Sequence, residues 1–104
     1  MARHPRARLD RLRDIGWRLW DPIGLLEADE DWHTAGFADE YDTYLLHAAG
    51  MIRKGEPASA VAAYLYWVET VTIGLGERET THARIAAAVK ALMAESLWTE
   101  PGGA

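Results

Sequence analysis

The chain has 104 residues, 49% of them hydrophobic and 26% charged, with a net charge of −5 and no cysteine. That is enough for one domain with a single core, and it excludes a disulfide framework and a thiolate metal site. No apolar run approaches the roughly 20 residues of a membrane span, and the basic stretch Met1–Arg8 has no apolar segment behind it, so no membrane contact and no secretory signal are expected and the cytoplasm is the expected address.

The charge is unevenly placed. Residues 1–20 carry six Arg against Asp10 and Asp14, a net of +4, whereas residues 21–44 carry eight acids and no Lys or Arg, a net of −8. Leu9, Leu12, Ile15, Gly16, Leu19 and Trp20 recur at helical spacing and predict a first helix over 5–20, with Arg13 and Asp14 on its solvated side. Pro22 disfavours a helical Asp21 and ends it. Asp21-Pro22-Ile23-Gly24 reads as a turn, in which Asp before Pro is cap-like and Gly24 permits a positive φ. Residues 25–37 read as a long acidic loop, folded onto the body by Trp32 and Phe37; connections of that length are more often functional.

Asp39 is expected to cap a second helix, with Asp42 at its third position where the helix dipole favours an acid. Tyr41, Tyr44, Leu45, Ala48, Met51 and Ile52 form its apolar stripe, and Gly55 stops it. Pro57 opens a third helix that runs to about Ile73. Val61, Tyr64, Leu65, Val68 and Val71 share one face, but Tyr66, Trp67 and Ile73 lie off it. A helix apolar most of the way round is expected at the buried centre; the Val, Thr and aromatic content makes a strand over 64–73 the competing reading. A fourth helix runs from Thr80 or Thr81 to about Trp98, with Ile85, Val89, Leu92, Met93 and Leu97 inward. The expected fold is all-α: one compact domain over 1–104 of about four helices, with the long acidic loop between the first and second, and with 1–4 and 100–104 as flexible ends.

Trp20-Asp21-Pro22-Ile23-Gly24, Asp39-Glu40-Tyr41-Asp42 and the third-helix pattern Ala63-Tyr64-Leu65…Glu69…Gly74-Leu75 resemble a family of small all-helical bacterial proteins of uncharacterised function. Those proteins carry the same two motifs, in the same order, after a first helix. The resemblance covers most of the chain and implies a compact helical domain. It brings no activity and no catalytic residues with it.

Each candidate residue has a structural account beside its functional one. Asp21 is either a carboxylate projecting from a rigid turn or the cap of that turn. Asp39 and Asp42 either cap a helix or, with Glu40, offer negative charge to a partner. The acids at 27–31 lack the pattern of a calcium loop, and His4, His33, His47 and His82 lack metal spacing. Glu69 stands on the most apolar helix, where an unpaired carboxylate is costly. Arg18, His47 or a tyrosine hydroxyl are its candidate partners, and a catalytic acid of raised pKa is the sharper reading. Of the tryptophans, Trp20 and Trp67 read as core, while Trp17, Trp32 and Trp98 lie off the stripes as interface candidates.

The leading functional reading is a small acidic protein-binding module rather than an enzyme. It presents Asp21, Trp32, Asp39, Glu40, Tyr41, Asp42 and Tyr44 to a protein with a basic surface, on the electrostatic logic of immunity-type inhibitory partners of basic proteins. No cofactor and no metal are expected, and the off-stripe tryptophans also suit a homodimer. One alternative is a small enzyme or metal-dependent site built on Asp21, Asp39 and Asp42. Another is a DNA-binding regulator acting through the Arg-rich first helix, which the acidic neighbouring block disfavours because it repels phosphate.

Overall fold

Leu12 and Ile15 carry the first helix into the core, but the helix starts later than its periodicity predicts. In the computed structural model, which describes residues 6–27 and 29–99, α1 spans Leu9–Ile15 and continues as a π-helical turn over Gly16–Trp20. The expectation of flexible ends at 1–4 and 100–104 lies outside the described residues. Ahead of α1, a two-residue strand β1 (Arg6–Ala7) pairs antiparallel with β2 (Trp98–Thr99). The fold is therefore mostly helical rather than wholly so. Arg8 N donates to Leu97 O at 2.7 Å, which extends this pairing and ties the two ends of the domain together.

The other helices are α2 (Asp42–Arg53), α3 (Ala58–Trp67) and α4 (Thr81–Ala94). The competing strand reading for 64–73 is overturned, because α3 runs directly into a second π-helical turn, Val68–Thr72. Between Trp20 and α2 the described chain forms one short 3₁₀ turn, Trp32–Thr34. α2 begins at Asp42 with Tyr41 in the capping position and no side-chain cap, so Asp39 is not its N-cap. Asp42 instead receives a two-pronged contact from Arg13, Nε to Oδ1 at 2.9 Å and Nη2 to Oδ2 at 2.6 Å, which pins α1 to the start of α2. Arg13 is thus half-buried rather than solvated. α4 also stops early: Glu95 is extended and accepts both Arg11 donors, and Trp98 leaves the helix to donate to Ala49 O at 3.2 Å.

The core is built from Leu12, Ile15, Leu45, Val61, Leu65, Val68, Ile85, Val89 and Leu92, with Trp17, Trp20, Trp32 and Tyr41 filling one end. α1 and α2 approach closely at Gly16, where an added Cβ would lie 2.7 Å from Leu45 Cδ1. Three tryptophan assignments are reversed. Trp17 and Trp32, expected at the surface, are 2% and 6% exposed, while Trp67, expected in the core, is 53% exposed. The reason is polar satisfaction. Trp17 Nε1 reaches Ala38 O at 3.0 Å and Trp32 Nε1 reaches Asp14 Oδ1 at 3.1 Å, so both rings can be buried with their N–H groups bonded. Trp67 lies on the outer side of α3, whose buried positions are Val61 and Leu65. Among the described residues, no helix is long and apolar enough to cross a membrane.

Candidate functional site

The two π turns meet. A π turn closes its hydrogen bond over five residues and swings the following side chains off the α-helical stripe. The first is closed by Asp21 N on Gly16 O at 2.8 Å, and the second by Ile73 N on Val68 O at 2.8 Å. Trp20 ends the first and Glu69 sits in the second, and Trp20 Nε1 donates to Glu69 Oε1 at 3.1 Å in the buried interior.

Glu69 is fully buried and fully partnered. Its Oε1 also accepts from Arg84 Nη1 at 3.0 Å, and its Oε2 accepts from Arg84 Nη2 and from the Thr81 hydroxyl, both at 2.7 Å. Arg78 Nη2 approaches Oε2 at 3.5 Å and donates to Pro22 O. Arg84 does more than neutralise the charge: Nη1 donates to Trp20 O at 2.9 Å, and Nε to Thr80 Oγ1 at 2.9 Å. One guanidinium therefore clamps the end of the first π turn, the second π turn and the start of α4. Burial pushes the Glu69 carboxyl pKa up, but the bonds from Arg84, Thr81 and Trp20 outweigh it and hold the value below the ordinary 4.5. This overturns both expectations for Glu69. Its partners are not Arg18, His47 or a tyrosine, and its pKa is lowered, so it is an ionised structural anchor and not a poised acid.

Asp21 closes the other side of the junction. Its φ is +26°, outside the usual range for a residue with a side chain. Its carboxylate holds that geometry: Oδ1 accepts from Gly24 N and Leu25 N, both at 3.1 Å, and from the Tyr41 hydroxyl at 2.7 Å, while Oδ2 accepts from Leu26 N at 3.0 Å. The Tyr41 hydroxyl in turn accepts from Ile23 N at 3.1 Å. Burial and the bond to Asp21 push the Tyr41 pKa up, so the phenol remains a donor. The two sequence motifs are thus joined through Asp21–Tyr41, with Arg13–Asp42 beside them. Trp17 and Trp20 pack their rings against Tyr41 with centroids 4.6 and 5.3 Å away.

The seven candidate partner-binding residues divide accordingly. Trp32 and Tyr41 are buried, Asp21 and Asp42 are half-buried with the partners just named, and Tyr44 is half-buried with its edge on Trp20. Asp39 and Glu40 are exposed, with no side-chain hydrogen bond or ion pair among the described residues. Asp21, Asp39 and Asp42 do not converge, and no group of three or more His, Cys, Asp or Glu placed to hold a metal ion occurs among the described residues.

Beside the junction lies a cleft of about 980 Å³, with Leu19, Leu26 and Trp32 among its apolar lining and Glu27, Asp29, Glu30 and Asp31, with Arg18 and Arg84, among its charged lining. Asp31 holds His33 through a 2.6 Å contact to Nδ1, and the His33 ring stacks on Trp32. Sequence reasoning missed Arg84 and Thr81. The available signal was position: Thr81, Ile85, Ala88 and Leu92 make the buried stripe of α4, and Arg84 borders it one turn from both Thr81 and Ala88. A cation bordering a buried stripe, and a lone carboxylate on the most apolar helix, are natural partners. No protein-family model matches this chain, and no match was found among curated proteins or among solved structures.

Proposed function

We propose that this domain is a small acidic protein-binding module of the cytoplasm that docks a basic protein surface, in the manner of an immunity-type or inhibitory partner. The observation that carries the reading is the division of the acidic 21–44 segment. Asp21 and Asp42 are used by the fold, whereas Glu27, Asp29, Glu30, Asp31, Asp39 and Glu40 stand exposed with no Lys or Arg ion-paired to any of them among the described residues. An excess of exposed acids over cations steers a cationic partner, although Arg18 and Arg84 line the cleft beside the acids at 27–31. We take the resemblance to small helical bacterial proteins as part of the same reading: of the residues that carry it, Trp20, Asp21, Tyr41 and Glu69 build the junction, and Asp39 and Glu40 are left over for recognition.

The rival enzyme or metal reading has less to stand on, since the oxygens of Asp21 and Asp42 already accept hydrogen bonds within the fold. The DNA reading is weakened because Arg11, Arg13 and Arg18 are paired with Glu95, Asp42 and Asp14. The test is affinity capture from the source cells by wild-type protein and by Asp39→Lys/Glu40→Lys, at two salt concentrations. A basic protein retained stoichiometrically by the wild type, released by salt and lost in a folded variant, is the expected result. Retention indifferent to charge reversal and to salt overturns the reading.

A further inference from the structure

α3 and α4 pack against one another through Val61, Leu65, Ile85 and Leu92, which are buried. Toward the start of α3 and the end of α4 they leave a gap, which Ala58 and Ala62 line from α3, and Ala86 and Ala94 from α4. Packed helix axes lie about 8–10 Å apart, and alanine is too short to close that distance. A groove of about 590 Å³ remains, floored by the buried Val89. Met93, expected inward, also lines it and is 44% exposed. Concave, mostly apolar sites of this size hold small ligands.

Two polar side chains line the groove, Ser59 and Lys90, and neither has a hydrogen bond or ion pair among the described residues. Arg11, Arg13, Arg18 and Arg84 are, by contrast, each engaged by a carboxylate. The walls themselves carry no acid: Ala58–Trp67 has no formal charge, and Thr81–Ala94 has only Arg84 and Lys90, with His82. The chain entering α3 adds Arg53, Lys54 and Glu56, and the chain leaving α4 adds Glu95, which Arg11 holds. In a chain of net charge −5, this groove is therefore lined by a free cation and no carboxylate.

We propose that the groove binds an aliphatic carboxylate, a fatty acid of medium length, with its chain along the alanines and Val89 and its head group on Lys90. The inference goes beyond the protein-binding reading and does not depend on it. Charge complementarity selects the head group, because Lys90 is the one formal charge in the lining among the described residues. Lys90 stands one turn from both Ala86 and Ala94, so its stem covers apolar wall while its ammonium stays in water to meet the carboxylate. Removal of the alkyl chain from water supplies the rest of the affinity, and the unbranched Met93 side chain adapts to it.

The experiment uses the full chain and three probes below their micellar concentrations, decanoate, decanol and decylammonium, followed by the methyl NMR signals of Ala86, Val89, Met93 and Ala94. Decanoate is expected to shift these signals saturably and to bind about threefold more tightly than decanol and about tenfold more tightly than decylammonium. Lys90→Met is expected to weaken decanoate about threefold and to erase its advantage over decanol. Ala86→Phe, at an exposed position, fills the groove and is expected to weaken decanoate at least about tenfold, with circular dichroism and melting temperature kept. The comparison of the three probes needs no variant. No saturable shift, equal binding of decanoate and decylammonium, or decanoate binding unchanged in Lys90→Met overturns the proposal, and shifts confined to other methyl groups overturn the site. A dimer in sedimentation that Ala86→Phe abolishes would put a second copy in the groove, and retention on phospholipid vesicles lost in the same variant would put a membrane surface there. Either result overturns the proposed occupant.

Discussion

Trp20 and Trp67 belong to the same domain and meet opposite surroundings. At the π-turn junction, Trp20 is 1% exposed, its N–H is bonded to Glu69, and every carboxylate oxygen nearby has a donor. On the outer side of α3, Trp67 is 53% exposed, and ahead of α2 the exposed Asp39 and Glu40 have no side-chain hydrogen bond or ion pair among the described residues. The same residue types are saturated in one region and left open in the other. The junction fixes shape with its polar groups satisfied, whereas Trp67, Asp39 and Glu40 remain exposed.

The comparison breaks most readily at Glu69. Glu69→Ala leaves the Arg84 guanidinium without its counter-ion in a largely buried site, and is expected to cost about 3–5 kcal/mol. On a domain of this size each kcal/mol lowers the melting temperature by roughly 4–8 °C, so a thermal scan reads it directly. Glu69→Leu combined with Arg84→Met removes both charges and should be less damaging than Glu69→Ala alone. If the double variant is the worse of the two, the clamp on Trp20 O matters more than the ion pair.

Asp21→Ala comes next. It strips the acceptor from three backbone N–H groups and from Tyr41, and removes what holds a positive φ, at an expected cost of about 2 kcal/mol in urea unfolding. Asp21→Asn keeps the small side chain and its tolerance of that backbone region, so it should recover part of the loss. Gly16→Ala is expected to cost about 1–3 kcal/mol, since its methyl meets Leu45 and the two helices must separate or the leucine must move.

Acid should act on the same region. The Glu69 pKa is lower in the folded state than its ordinary 4.5. The stability it contributes is therefore fully present above that ordinary value and is lost as pH falls through the folded-state value. Unfolding free energy measured from pH 6 downward should fall below about pH 4.5, and Glu69→Gln should flatten that slope. A slope unchanged in Glu69→Gln would assign the acid sensitivity to Asp14 and Glu95, whose carboxyls are also held low. The smallest effect belongs to the exposed acids: Asp39→Asn and Glu40→Gln should each change stability by no more than about 0.5 kcal/mol. A larger loss would mean that these acids serve the fold after all.

Much of the fold was legible because periodicity and punctuation are local. The repeats of Leu12 and Ile15, of Leu45 and Ala48, of Val61 and Leu65, and of Ile85 and Val89 mark the four helices and their buried sides. Pro22, Gly24, Gly55 and Pro57 mark the breaks, and Gly24 and Gly55 adopt positive φ. Glu69 announced itself as a carboxylate in need of a partner. The two π turns, the strand pair at the ends of the domain and the identity of that partner were not legible, because none is a property of neighbouring residues. Arg84 lies 15 residues from Glu69 and Trp20 lies 49 residues away, and only packing brings the three together. The tryptophans make the same point. A ring that lies off an apolar stripe can still be buried if its N–H finds a carbonyl or carboxylate on another element, as Trp17 and Trp32 do. The sequence by itself determined how many helices form and which sides of them are apolar. The tertiary structure alone decided which carboxylates the fold consumes and which remain exposed, because a charge can be buried only where long-range packing delivers its donors.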